Sequence, residues 1–286
     1  MQFSIPEQMN RMTPTFRKLS QYSKKKILTV PVRGELLSGY HPVRLALENN
    51  RRTIYKIYFN PKSSRITDEV VSLAECKNIS CQETSWKTLD ILSKNSAHKG
   101  VCADVSPLIP EPGDYLADED KISNPKQLWL LMTAIGDPQN MGAIIRSAYF
   151  LGVDQIFTTS PHDSRQASSS FTPTVARASA GTVEIFTPKV IYRPEDFLQS
   201  LNDHGWAVIG TCGEKHSQPV FKSDDGANTI LIVGNEGEGL PQSISNKCNQ
   251  FLTVSPNRRL HSCVDSLNVS VATALAIQKL RSSFST

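Results

Sequence analysis

Hydrophobic and polar positions along this chain follow two rhythms. Residues 128–135 (Leu-Trp-Leu-Leu-Met-Thr-Ala-Ile) and 229–233 (Thr-Ile-Leu-Ile-Val) are apolar almost without interruption. Short apolar runs that end at turns predict buried strands of a parallel sheet. Further strands are expected at 155–159, 183–186 and 206–211, with an apolar strand end at 251–254. Helical spacing lies between them. One helix follows Asp137-Pro138, with Asn140 as its expected cap and Ala143, Ile144, Ala148 and Leu151 packing on the sheet. Small residues at 175–181 suit close packing, and 195–204 reads as a helix. The last helix, from Leu267 to about Leu280, is small and aliphatic on nearly every face, so it is expected to be buried, capped by Asp265 or Ser266. Its entry carries Ser266, Asn268 and Ser270. A buried Asn has an acceptor and two donors to satisfy. Cap chemistry accounts for these polar residues as well as a site does.

Ahead of residue 107 the elements are shorter. A strand and turn at 35–43, a helix at 43–49 ended by Asn49-Asn50, a strand at 54–59, helices at 66–76 and 86–92 and a strand entered from 98 predict a small α/β domain over 32–106. Arg51, Arg52, Lys56, Lys62 and Arg65 would either line an RNA surface or be ordinary solvated charges. Residues 107–127 read as a linker, broken by Pro107, Pro110, Pro112, Gly113 and Pro125 and made acidic by five carboxylates from Glu111 to Asp120. The second domain is expected over 128–286. Residues 1–31 form a basic leader, with Arg11, Arg17, Lys18, Lys24, Lys25 and Lys26 against Glu7 alone. An acid-poor leader with scattered Ser and Thr fits an organelle import signal; the alternative is a basic tail on RNA phosphates.

Composition narrows the classes. At 39% hydrophobic and 20% charged, with no apolar run of membrane-spanning length, the chain reads as globular, with no membrane partner. A formal net charge of +4 allows nucleic acid without demanding it. The six cysteines make no C-x-x-C pair and no zinc spacing, so reduced thiols and no metal site are expected.

The glycine loop Gly234-Asn235-Glu236-Gly237-Glu238-Gly239 follows the strongest strand. It is neither a P-loop nor G-x-G-x-x-G. Glu236 and Glu238 would repel a phosphate, so backbone contact with a neutral or cationic ligand fits better. This loop, the segment from Asn140 to Arg146 and the polar entry at 266–268 all fall at carboxyl ends of strands, where open α/β sheets bind ligands.

Three stretches then stand out together: Asp137-Pro138-x-Asn140-x-Gly142-Ala143-Ile144-x-Arg146-Ser147-Ala148, Val233-Gly234-Asn235-Glu236-Gly237-Glu238-Gly239-Leu240 and Ser266-Leu267-Asn268-Val269-Ser270-Val271-Ala272. In that order they resemble the three motifs of the SpoU (TrmH-like) branch of the SPOUT RNA 2′-O-ribose methyltransferases, over roughly 128–282. Residues 34–47 and His98-Lys99-Gly100-Val101 resemble the ribosomal-protein-like substrate-binding domain that many of these enzymes carry. With the leader and no zinc site, the nearest likeness is to the mitochondrial large-subunit rRNA 2′-O-methylguanosine enzymes, acting in the matrix. The resemblance implies a mostly parallel C-terminal sheet domain tied in a deep trefoil knot, a homodimer, and S-adenosylmethionine as cofactor. It places the cofactor against Thr211, Cys212, Gly213, Gly234, Asn235, Gly237, Gly239, Val254 and Leu267. Ahead of the third motif the chain departs from the family pattern: Val254-Ser255-Pro256 is followed by a longer segment, 257–264, with Arg258, Arg259 and His261.

A ribose 2′-OH must lose its proton to attack the methyl on sulfur, and it is the group that marks RNA. Arg146 matches the family's proposed base. Arginine stays protonated in proteins, so binding the neighbouring phosphate and stabilising the developing alkoxide is the gentler role. Asn140, Glu236, Ser266 and Asn268 would orient Arg146, the ribose or the methionine. The rival readings are a tRNA 2′-O-methyltransferase, a catalytically silent RNA-binding ribosome assembly factor, and a nucleotide-dependent oxidoreductase, which the acidic loop disfavours.

Overall fold

The computed structural model describes residues 30–63, 65–113, 126–159, 171–212, 227–235, 237–259, 261 and 266–284. Two sheets organise them. The larger has six strands in the order β10-β8-β9-β5-β6-β7: β5 (Leu128–Met132), β6 (Gln155–Thr159), β7 (Lys189–Ile191), β8 (Ala207–Thr211), β9 (Thr229–Val233) and β10 (Gln250–Leu252). Every pairing in it is parallel. A parallel sheet covered on both faces needs strands apolar at every position, which is why β5 and β9 are buried end to end.

Alternate residues of these strands feed two cores. Leu128, Leu130, Met132, Leu231 and Val233 face one; Trp129, Leu131, Ile230 and Ile232 face the other. Over the second core lie α6 (Pro194–Asp203) and the short α7 (Gln242–Ser245), through Phe197, Leu198, Leu201 and Ile244. Over the first lie α4 (Pro138–Phe150), α5 (Pro173–Ala178) and α8 (Val269–Phe284). Gly142 of α4 allows close approach to α5, since a Cβ there would sit 2.7 Å from the Val175 carbonyl oxygen. The far end of α8 is tied down by Arg281, whose Nη2 donates to Asp154 Oδ2 over 2.8 Å; the same oxygen accepts from the Leu128 N–H.

The smaller sheet runs β1-β4-β2-β3: β1 (Glu35–Ser38), β2 (Ile54–Phe59), β3 (Cys81–Glu83) and β4 (Val101–Val105). With it go α1 (Tyr40–Asn49), α2 (Arg65–Cys76) and α3 (Trp86–Leu92). Asn50, in the left-handed region at φ 55, ends α1 as the Asn-Asn pair predicts. From Val32 onward the chain forms one compact unit, and Leu37, Val43, Leu47 and Val105 share a core cluster with the large half.

Several expectations change. The helix after Asp137-Pro138 is capped by Asp137, whose side chain accepts from the Gln139 N–H over 2.9 Å; Asn140 sits inside the first turn. The segment 183–186 is no strand. Gly181 adopts φ 82 and launches a 3-10 turn, Thr182–Glu184, in which the Glu184 N–H bonds the Gly181 carbonyl. Arg52 lines no surface: its side chain is fully buried against Glu184. Burial pushes the Glu184 carboxyl up, against the pull of Arg52. The last helix is not covered all round, because Val271 and Leu275 are 48% and 47% exposed. Residues 108–113 lie along β7: Leu108 is buried, and the Gly113 and Val190 N–H groups bond Val190 and Glu111 carbonyls. The sequence does not announce the short strands β3 and β7. Residues 213–226, 260 and 262–265 lie outside the described ones, and with them the expected knot, as does nearly all of the leader.

Candidate active site

Parallel strands send all their following loops to one edge. The order β10-β8-β9-β5 therefore gathers the loops after residues 252, 211, 233 and 132. The terminal rungs match, with Leu252 opposite Thr211 and Met132 opposite Val233. The chain leaves β5 for β6 and β7 on one side and returns to β8 on the other, so a topological switch lies here.

The loop after β9 is a tight, internally bonded turn. Asn235 and Gly239 exchange both backbone bonds, at 3.1 and 2.9 Å. Asn235 Oδ1 accepts from the Gly237 and Glu238 N–H groups, and its Nδ2 donates to the Ala134 carbonyl over 3.2 Å. One side chain thus shapes the glycine loop and ties it to the loop after β5. Gly234 has no room for a side chain: a Cβ would lie 2.3 Å from the Gly239 carbonyl oxygen. Gly239, at φ 73, would meet nothing within 4 Å, so open space adjoins the backbone of the turn.

Thr211 and Cys212 close the β8 side. Thr211 Oγ1 donates to the Ile232 carbonyl over 3.1 Å. The Cys212 N–H bonds the Leu252 carbonyl, and its Sγ lies 3.0 Å from Thr253 Oγ1. Val254 is half-buried just beyond.

The first and third motif stretches meet directly. Asn268 Nδ2 donates to Asn140 Oδ1 over 3.0 Å. Asn268 Oδ1 accepts from the Ser270 N–H over 2.9 Å, the cap bond of α8, so the cap is Asn268 rather than Asp265 or Ser266. Ser266 and Leu267 are exposed just ahead of it. Arg146 lies roughly 9 Å further along α4 by helix rise, exposed, with no carboxylate paired to it among the described residues. Gly213 and Glu236 lie outside the described residues. Ala134, at φ 54, and Thr253 belong to the same rim; no sequence signal marks an Ala for the left-handed region. Asn257, Arg258, Arg259 and His261 are exposed beside it.

This rim offers backbone groups of a rigid turn, amide side chains and a cation, with no metal-binding cluster of His, Cys, Asp or Glu among the described residues. The model of the SpoU rRNA methylase family matches residues 127–278, which contain every part of the rim. The chain belongs to that family. A second model, for RNA 2′-O ribose methyltransferase substrate binding, matches residues 36–110, so this SpoU protein carries a substrate-binding half on its small sheet. Among relatives, the mitochondrial rRNA methyltransferase 1 of Homo sapiens is 34% identical over 264 residues, covering 87% of this chain and 72% of that one. The 23S rRNA (guanosine-2′-O-)-methyltransferase RlmB of Acinetobacter baylyi is 28% identical over 245 residues, 85% of this chain and 95% of its own. The AdoMet-bound rRNA methyltransferase from Sinorhizobium meliloti shares the fold of this chain with TM-score 0.66 at 20% identity, over 87% of both chains.

Proposed function

We propose that this SpoU enzyme methylates the ribose 2′-oxygen of a guanosine in mitochondrial large-subunit rRNA, with S-adenosylmethionine as methyl donor. The observation that carries the reading is the Asn140–Asn268 bond, which joins two family motifs at the switch point beside the glycine turn. The cofactor suits the rim. Neutral backbone groups, open space beside Gly239 and a glycine spacing that is neither a P-loop nor G-x-G-x-x-G match an uncharged adenosine and a sulfonium better than a dinucleotide. Thr211, Cys212, Gly213, Gly234, Asn235, Gly237, Gly239, Val254 and Leu267 would hold it, mostly through the main chain. When bound, it supplies an electrophilic methyl group.

The protein's own residues do the rest. Arg146 is unengaged by described carboxylates and takes an RNA phosphate, holding the target ribose and stabilising negative charge on its 2′-oxygen, while that phosphate or Asn140 relays the departing hydroxyl proton. Asn140 and Asn268, locked to each other, orient that ribose; Ser266 and Glu236 complete the set. Fixed alignment of oxygen, methyl and sulfur supplies several kcal/mol, on the order of what proximity gives. The trefoil knot would hold these loops together without a ligand.

The enzyme acts as a homodimer. Val271 and Leu275 of α8, with Leu267 just ahead of it, form a half-exposed apolar stripe, which a second copy would cover. It works in the mitochondrial matrix, where the basic, acid-poor leader would direct it. The test is a map of 2′-O-methylated positions in mitochondrial large-subunit rRNA with and without the protein. Loss of one guanosine methylation supports the reading; an unchanged rRNA map with a lost tRNA methylation replaces it.

A further inference from the structure

Two consecutive arginines at the turn between α1 and β2 reach from the small half to the large one. Arg51 Nη2 donates to Glu111 Oε1 over 2.7 Å, and the Glu111 carbonyl is bonded to β7. Arg52 turns inward. Its Nε lies 3.0 Å from both oxygens of Glu184, and its Nη1 donates to Glu35 Oε2 and the Ser106 carbonyl, each over 3.1 Å. The side chains of Arg52 and Glu184 are both 0% exposed.

Such a pair is a costly way to hold two surfaces together. Desolvating both charges cancels much of their attraction, and apolar residues of similar volume hold as well or better. What directional hydrogen bonds add is a fixed orientation, since an apolar contact can slide. Nearby packing leaves no slack either. Gly181 is in the left-handed region at φ 82, and a Cβ there would lie 2.8 Å from the His41 carbonyl oxygen at the start of α1. The helix α5 that leads into Gly181 is itself pressed on α4 at Gly142. A line of contacts without free space thus runs from the small half, through Gly181 and α5, to the helix bearing Asn140 and Arg146.

We propose that the Arg52–Glu184 pair is a positioning clamp, holding the substrate-binding half at one fixed angle to the methylation site so that RNA gripped by one half presents a single ribose to the other. Arg52 and Glu184 are positioning residues; they touch neither RNA nor cofactor. The inference rests on the methyltransferase reading. It differs from plain structural support in what it predicts: loosening the clamp spares both binding steps and lowers turnover.

The experiment compares wild type with R52K, G181A and the apolar double variant R52M/E184L. Methyl transfer to a transcript of mitochondrial large-subunit rRNA gives kcat and KM, and RNA and S-adenosylmethionine dissociation constants are measured separately. For R52K and G181A, kcat should fall on the order of 10- to 100-fold, as a misplacement near 1 Å costs. Both dissociation constants should stay within about threefold, and methylation should spread to neighbouring nucleotides. The double variant should restore thermal stability without restoring single-site methylation. Wild-type kcat and an unchanged methylation pattern in R52K and G181A overturn the clamp. Should wild type itself methylate no rRNA, the functional reading fails instead. The clamp is then judged by hydrogen exchange: faster exchange in R52K at both 35–47 and 175–186 supports it, and unchanged exchange overturns it.

Discussion

Asn268 donates its Nδ2 proton to Asn140 Oδ1 across 3.0 Å, joining the first turns of two helices 128 residues apart in sequence. The same Asn268 caps α8 through its other side-chain atom, accepting from Ser270. The two jobs can be separated. Asn268→Asp keeps the capping oxygen and loses the donor. Its stability should stay within about 0.5 kcal/mol of wild type, because Asp and Asn are equivalent caps, while Asn268→Ala should lose about 1 kcal/mol. Methyl transfer should fall roughly 10- to 100-fold in both. Urea unfolding beside single-turnover assays checks this; a fully active Asn268→Asp would remove the bridge from the mechanism.

Arg146 is exposed and unpaired by described carboxylates, so little of the fold depends on it. Arg146→Ala should change unfolding free energy by no more than about 0.5 kcal/mol. Turnover at saturating RNA should drop about 10²–10³-fold, the scale of losing one charge-stabilising donor. Arg146→Lys should recover little, since an ammonium lacks the planar fork that grips a phosphate.

Gly234 has no space for a methyl group beside the Gly239 carbonyl. In Gly234→Ala the turn must open, at a cost of about 1–3 kcal/mol in stability. Calorimetry should show S-adenosylmethionine binding weakened at least about tenfold. Undiminished affinity would mean the cofactor lies elsewhere.

The buried Arg52–Glu184 pair makes an asymmetric prediction. Arg52→Met alone leaves a buried carboxylate and should cost about 3–5 kcal/mol, whereas Arg52→Met with Glu184→Leu should come within about 1 kcal/mol of wild type. Denaturant midpoints of the three proteins decide it. Equal losses in the single and double variants would show that packing volume, not charge, is what the site needs.

Burial pushes the Cys102 and Cys248 thiols up to about 12. Only thiolate reacts, so at pH 8 about one part in 10⁴ of either is reactive, rising tenfold for each further pH unit. Iodoacetamide at pH 8 should label the exposed Cys76 ahead of these two, which stay unmodified in the folded protein. Mass spectrometry of the digested protein reads the order directly.

Much of the chain's plan was legible in advance because it is local. Unbroken apolar runs announce β5 and β9, which lie in a sheet covered on both faces, and the turn chemistry of Asp137-Pro138 and Asn49-Asn50 places helix boundaries within a few residues. The three motif stretches are legible as a resemblance, and the structure brings Asn140 and Asn268 from two of them together. Other features depend on partners distant in sequence. That Arg52 is buried follows only from Glu184, 132 residues on, and a solvated arginine reads the same in one dimension. That Val183 sits in a 3-10 turn rather than a strand follows from Gly181 fitting beneath His41. The choice of Asn268 over Ser266 as cap, and its bond to Asn140, needs α4 and α8 side by side on one face of the sheet. Local composition set which segments could be strands, helices and catalytic loops; only the tertiary structure decided which polar groups lost their water and had to find one another.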